Sequence, residues 1–144
     1  MHKIIKTLQP SFLQFHGDET PKFCNQFDYP YIKAIRVSPD LNIERAIEHF
    51  NPKGGFLFDT WHPKKYGGTG GTFDWDVLPN ELKAPKILAG GLTSTNVGQA
   101  IKIARPDVVD VSGGVESLKG IKDERLIANF VDSVGSADMK INKK

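Results

Sequence analysis

The chain has 144 residues, enough for one domain with a real core. Its 39% hydrophobic and 25% charged residues are ordinary for a globular protein, and a net charge of +2 gives no electrostatic case for nucleic acid. A single cysteine, Cys24, rules out an intrachain disulfide, and with no ~20-residue apolar run and no signal-peptide layout at the start, a cytoplasmic protein is expected.

Ile4, Ile5 and Leu8 sit at helical spacing, and the pattern stops before Pro10. That helix has an end but no capped start, as if the chain began inside an element. A strand follows over 12–16, closed by Gly17, and Thr20 with Pro21 then supplies an N-cap and a proline at the first helical position. A second strand spans 31–37, and Asp40 or Asn42 caps a helix whose Ile43, Ala46, Ile47 and Phe50 form one apolar stripe.

The third strand is Phe56-Leu57-Phe58-Asp59, three large apolar residues ending in a carboxylate. An acid there is costly unless it has partners or a task. The glycine-rich run behind it, with Gly67, Gly68, Gly70 and Gly71, can fold closely over a ligand. A short helix is expected around 74–78, then a strand over 86–89 that runs into Gly90 and Gly91. Thr93, Ser94 or Thr95 should cap the next helix, which carries Val97, Ala100, Ile101 and Ala104. A fifth strand, 108–112, runs into Gly113 and Gly114, and a last helix from about Asp123 buries Leu126, Ile127, Phe130, Val131 and Val134. After Gly135 a polar tail over 136–144 is expected to fray, leaving one domain over 1–135.

Strand–helix alternation five times over demands a parallel α/β sheet covered by helices. An open doubly wound sheet and part of a (β/α)8 barrel both fit. A full barrel runs to ~250 residues, so five units are what a barrel lacking its first three would leave. On the barrel reading His16, Arg36, Asp59, Asp110 and Ser112 gather at one mouth, each sharing a face with inward residues of its own strand. Gly90, Gly91, Ser112, Gly113 and Gly114 lie on consecutive units, where bare amides suit a phosphate; two tight turns are the plainer alternative. Asp59 could instead cap its loop. His16 could be a hydrogen-bonded structural histidine or touch substrate, Arg36 could pair with Asp59 or Asp110 or meet ligand, and Asp110 could be a core acid or bind ribose hydroxyls. His2, His49 and His62 have no spacing that suggests a metal site, while Trp61 could pack beside the loop or line an aromatic ring.

These motifs together resemble the phosphoribosylanthranilate isomerase family. Leu13-Gln14-Phe15-His16-Gly17, Lys33-Ala34-Ile35-Arg36-Val37 and Phe56-Leu57-Phe58-Asp59-Thr60 look like three successive strands of that family. Gly67-Gly68-Thr69-Gly70 with Thr72-Phe73-Asp74-Trp75, Ile87-Leu88-Ala89-Gly90-Gly91-Leu92, Val109-Asp110-Val111-Ser112-Gly113-Gly114-Val115-Glu116 and Gly120-Ile121-Lys122-Asp123 continue the match in order. The resemblance implies a partial (β/α)8 TIM barrel of five parallel strands, with the first three units missing. It implies a cofactor-free reaction of tryptophan biosynthesis on a small sugar-phosphate substrate. N-(5-phosphoribosyl)anthranilate is rearranged to 1-(2-carboxyphenylamino)-1-deoxyribulose 5-phosphate.

By resemblance Asp59 takes the place of the family's general acid, and a carboxyl buried under a closing loop can hold a proton near neutral pH. His16, Arg36 and Asp110 are expected to bind substrate, and Gly90, Gly91, Ser112, Gly113 and Gly114 to bind phosphate. The family's base is a cysteine in a Lys-Ile-Cys-Gly type motif, absent here, and Cys24 on an outer helix cannot replace it. The family usually has two serines where Ser112 and Gly113 stand, and often a larger residue at Gly71. The isolated chain is therefore expected to be inactive, either as a partial isomerase or as a non-catalytic phosphate-binding half-barrel. Two open sheet edges invite self-association, and neither nucleic acid nor a membrane is an expected partner.

Overall fold

The computed structural model describes residues 1–61 and 71–141. Among these, five strands form one parallel sheet in the order of the chain: β1 (Leu13–Phe15), β2 (Tyr31–Val37), β3 (Gly55–Thr60), β4 (Lys86–Leu88) and β5 (Val108–Val109). The order never reverses, so the sheet has no switch point of the doubly wound kind, and the sequential winding is that of a barrel wall. The glycines at 67, 68 and 70 and His62 lie outside the described residues.

The helices follow from local signals. After α1 (His2–Leu8), which ends in a left-handed Gln9, α2 (Pro21–Asn25) starts where Thr20 Oγ1 accepts the Phe23 N–H at 3.2 Å. At the head of α3 (Ile43–Ile47) it is Asn42, not Asp40, that caps, accepting the Arg45 N–H at 2.9 Å. A 3-10 turn (Trp75–Val77) capped by Asp74 takes the place of the expected short helix.

Register fixes what faces what. Lys33 lies opposite Phe56 and Ile35 opposite Phe58, while Phe58 lies opposite Leu88. That face packs under the helical layer, with Phe58, Leu88 and Val97 fully buried beside Ile101 and Phe130. Burial of each such side chain contributes about 1.5–3 kcal/mol. The other face carries Ala34, Leu57, Ile87 and Ala89 as a smaller cluster and, at its carboxyl end, the polar residues of interest.

Three expectations need correction. The fifth strand is only Val108–Val109; Asp110 still donates its N–H to Leu88 O at 2.8 Å, but with no strand paired beyond it the ladder stops. No hydroxyl caps α4 (Val97–Ala104); its N-cap is Asn96, whose side chain reaches backward instead. The last helix, α5 (Glu124–Ile141), runs straight through Gly135, because Ala137 is buried against α4 and that packing outweighs a glycine cost of ~1 kcal/mol. The sequence reading also passed over a small hairpin, β6 (Glu116–Leu118) with β7 (Ile121–Lys122), turning at Gly120 with φ of 83°.

Candidate active site at the carboxyl ends of the strands

Because every neighbouring pair in the sheet is parallel, the strands end on the same side. Asp59, next to last in β3, is only 5% exposed there. Its Oδ1 accepts the Thr60 N–H at 2.8 Å, and its Oδ2 lies 3.1 Å from His16 Nε2. Gln14 Nε2 sits 3.2 Å from His16 Nδ1, so three side chains connect β1 to β3 across β2. The intervening strand carries Ala34 on that face, small enough to leave the path clear.

The direction of the proton along this chain depends on how the groups are turned. With the Gln14 amide donating to Nδ1, His16 carries its hydrogen on Nε2 and donates to Asp59. With the amide reversed, Nδ1 donates to Gln14 and Nε2 can accept from a protonated Asp59. Either way a single hydrogen lies between His16 Nε2 and Asp59 Oδ2. His16 is thus hydrogen-bonded to the acid, and its side chain remains 30% exposed.

The loop after β4 rests directly on this acid. Gly90 has φ of 82°, and a Cβ placed on it would lie 3.0 Å from Asp59 Oδ1 and 2.3 Å from Thr60 Oγ1. Gly91 is also left-handed, at φ of 61°. Asn96 clips the loop, its Nδ2 donating to Gly91 O at 2.9 Å and its Oδ1 accepting the Thr93 N–H at 2.8 Å. The next loop abuts the first: a Cβ on Gly114 would come within 1.8 Å of Leu92 O. Gly113 has open space around it. The far end of the glycine-rich run is held too, through Thr60 Oγ1 donating to Gly71 O at 2.8 Å.

Three residues stand apart from this arrangement. Arg36, opposite Asp59 in register, donates to Asp18 Oδ1 at 2.7 Å. Asp110 is not a core acid; it is exposed beyond the short β5. Trp61 is 43% exposed and lines a cavity of about 560 Å³ with Val37 and Phe73, on the helix-covered side of the sheet rather than beside Asp59.

Sequence reasoning missed Asn96 and Lys122. Lys122 Nζ donates to Ser112 O at 2.9 Å, to Ser112 Oγ at 3.2 Å and to Glu116 Oε1 at 2.7 Å. The Lys122 hydrogen bond, helped by the Gly120 N–H, holds the Glu116 carboxyl below its usual range. The only hint in the sequence was the block from Gly120 to Asp123, which carried no assigned role. Cys24 is fully buried on α2, and burial pushes its thiol up. No cluster of metal-binding side chains occurs among the described residues, and no described helix is long and apolar enough to cross a membrane.

The family model for N-(5'-phosphoribosyl)anthranilate isomerase matches residues 1–133. The N-(5'-phosphoribosyl)anthranilate isomerase of Neisseria meningitidis serogroup C is 48% identical over 131 residues, covering 91% of this chain and 63% of its own. The crystal structure of phosphoribosyl anthranilate isomerase from Thermotoga maritima superposes with a TM-score of 0.77 at 34% identity, covering 93% of this chain and 66% of its own. A phosphoribosyl anthranilate isomerase in complex with reduced 1-(o-carboxyphenylamino)-1-deoxyribulose 5-phosphate gives a TM-score of 0.70 at 30% identity, covering 93% and 64%. The chain thus spans a little under two thirds of the length of these relatives.

Proposed function

The chain belongs to the N-(5'-phosphoribosyl)anthranilate isomerase family, and from that premise we propose that it carries the proton donor and the phosphate cradle of an isomerase site. The substrate is N-(5-phosphoribosyl)anthranilate, and the reaction is its Amadori rearrangement to 1-(2-carboxyphenylamino)-1-deoxyribulose 5-phosphate in tryptophan biosynthesis. The observation that carries this reading is the contact between Asp59 and the loop at Gly90. A proton source and a run of bare amides meet there, as a phosphorylated sugar requires at its two ends.

In this reading Asp59 protonates the ring oxygen as the C1–O bond breaks, leaving an iminium between C1 and the anthranilate nitrogen. His16, hydrogen-bonded to Oδ2, returns a proton to the carboxyl after each turnover, and Gln14 orients the ring. The amides of Gly90, Gly91, Gly113 and Gly114, with the Ser112 hydroxyl, hold the phosphate. Arg36 and Asp110 are assigned to the rest of the substrate, Asp110 to its ribose hydroxyls. Loss of the C2 proton to a base then gives the enolamine, which tautomerises to the ketose. Cys24 does not supply that base, being buried under α2 on the opposite face of the sheet.

The position of Cys24 favours a second reading, in which the chain binds the phosphorylated ligand and does not turn it over. Calorimetric titration of the full chain with reduced 1-(o-carboxyphenylamino)-1-deoxyribulose 5-phosphate, beside an assay of turnover by the chain completed to the length of its relatives, separates the two. Binding together with turnover supports the isomerase, binding alone supports the second reading, and absence of binding defeats both. We also infer self-association through the edges at β1 and β5, where Phe12 and Val108 are 45% and 50% exposed.

A further inference from the structure

We propose that Lys122, latched by Glu116, is a positioning residue that commits the Ser112 hydroxyl to donate toward a phosphate ester. This rests on the phosphate reading of the two glycine loops and adds to it a residue outside them.

A lysine ammonium has three N–H donors and no acceptor. Here all three are taken, by Glu116 Oε1, Ser112 O and Ser112 Oγ. Lys122 therefore has no donor left for a ligand, and whatever it contributes passes through Ser112.

A serine hydroxyl left to itself both donates and accepts, and would suit a sugar hydroxyl as well as an anion. With an ammonium donating into Oγ, one lone pair is occupied and the oxygen is made more positive. Its own hydrogen is then the group best placed to act, and an anion is the partner it suits. The bond to Ser112 O fixes the backbone of the same residue, immediately before Gly113 and Gly114.

Glu116 makes the latch one-directional. Its Oε1 holds Lys122 while its Oε2 accepts the Gly120 N–H at 2.9 Å, closing the turn of the β6–β7 hairpin. The carboxylate also balances the ammonium, so the pair adds little net charge. Phosphate selection then comes from the orientation of Ser112 rather than from a positive field. The trio is assembled from three points, at 112, 116 and 122, that only the folded hairpin brings together.

The test is a titration of the 15N-labelled full chain with inorganic phosphate, following the Gly113 and Gly114 amides, for the parent, Lys122→Met, Ser112→Ala and the double variant. The parent amides should shift on binding, and each single variant should bind roughly tenfold more weakly, the scale of one charge-assisted hydrogen bond. The double variant should be no weaker than Ser112→Ala, because Lys122 acts through that hydroxyl. A lysine that merely braced the hairpin would weaken binding by the same factor whether or not Ser112 kept its hydroxyl, and that result would overturn the proposal. Equal binding by the parent and Lys122→Met would also overturn it while leaving the phosphate reading intact. Silent glycine amides in the parent would remove that reading itself, and the proposal with it. Should Lys122→Met fail to fold, Lys122→Arg and Glu116→Gln in the parent and Ser112→Ala backgrounds repeat the cycle. Arginine should keep affinity within about threefold, while glutamine should weaken it only where Ser112 is present.

Discussion

At the scale of single residues, the site depends on one carboxyl and on the absence of two methyl groups. Asp59→Asn keeps the shape of the side chain and the bond from Thr60 but removes the acid. In an isomerase assay with the chain completed to the length of its relatives, it should lower kcat by about 10²–10⁴, the usual worth of a general acid, while the affinity for reduced product stays within about threefold. An unchanged kcat would remove Asp59 from the chemistry. The glycines are a separate matter of space. Gly114→Ala would put a methyl 1.8 Å from Leu92 O, so the two loops must separate, at a cost of about 1–3 kcal/mol in stability. Gly113→Ala, with open surroundings, should cost far less; equal melting of the two variants would contradict the packing described. The sequence made these positions visible as glycines after strands. The reason for each was not visible, since only the fold brings Leu92 O against Gly114 and Asp59 against Gly90.

At the scale of elements, the strands could be read because each is a short apolar run ending in a turn signal, and β2 was foreseen at its full length, 31–37. The failures lie where tertiary contacts outvoted local preference. Gly135 suggested an end to α5, but Ala137 continues the seam against α4. A core position for Asp110, one of its two alternatives, depends on a strand running to 112; the edge ladder stops at Val109 and the residue is exposed. The Arg36–Asp18 bond and the latch of Lys122 on Ser112 join residues 10 to 18 apart in sequence, a spacing with no periodicity to reveal it. One buried charge ties two elements together: Lys33, 3% exposed on the helix-covered face of β2, donates to Gly17 O at 2.7 Å and Glu19 Oε2 at 2.8 Å. Burial opposes the charge on Glu19, but the hydrogen bond and charge of Lys33 prevail and hold its carboxyl below the usual 4.5. A folded-state value lower than the unfolded one means stability that is present above the unfolded value and lost as pH falls through the folded one. Glu19→Gln should therefore destabilise by about 1–3 kcal/mol at neutral pH, with the deficit shrinking steadily below pH ~4.5. Thermal melts of parent and variant that differ equally at neutral and strongly acidic pH would show that the pair is not the source.

At the scale of the whole molecule, the strand order β1-β2-β3-β4-β5 decides the architecture. Sequential winding in one direction places every carboxyl end together, and so places His16, Asp59 and the glycine loops on one rim. It also leaves β1 and β5 unpaired on their outer sides among the described residues. Sedimentation velocity should show a weight-average mass that rises with concentration, and Val108→Lys on β5 should return the chain toward the monomer; a parent that stays monomeric throughout would end the edge-pairing account. The central claim is that acid and phosphate cradle are two ends of one site. It is tested most directly by titrating the full chain, labelled with 15N and with 13C at aspartate, with reduced 1-(o-carboxyphenylamino)-1-deoxyribulose 5-phosphate. The account predicts that the Asp59 carboxyl and the amides of Gly90, Gly91, Gly113 and Gly114 move together along one binding curve with a single Kd. Glycine amides that respond while Asp59 stays still, or shifts confined to other parts of the sheet, would contradict it.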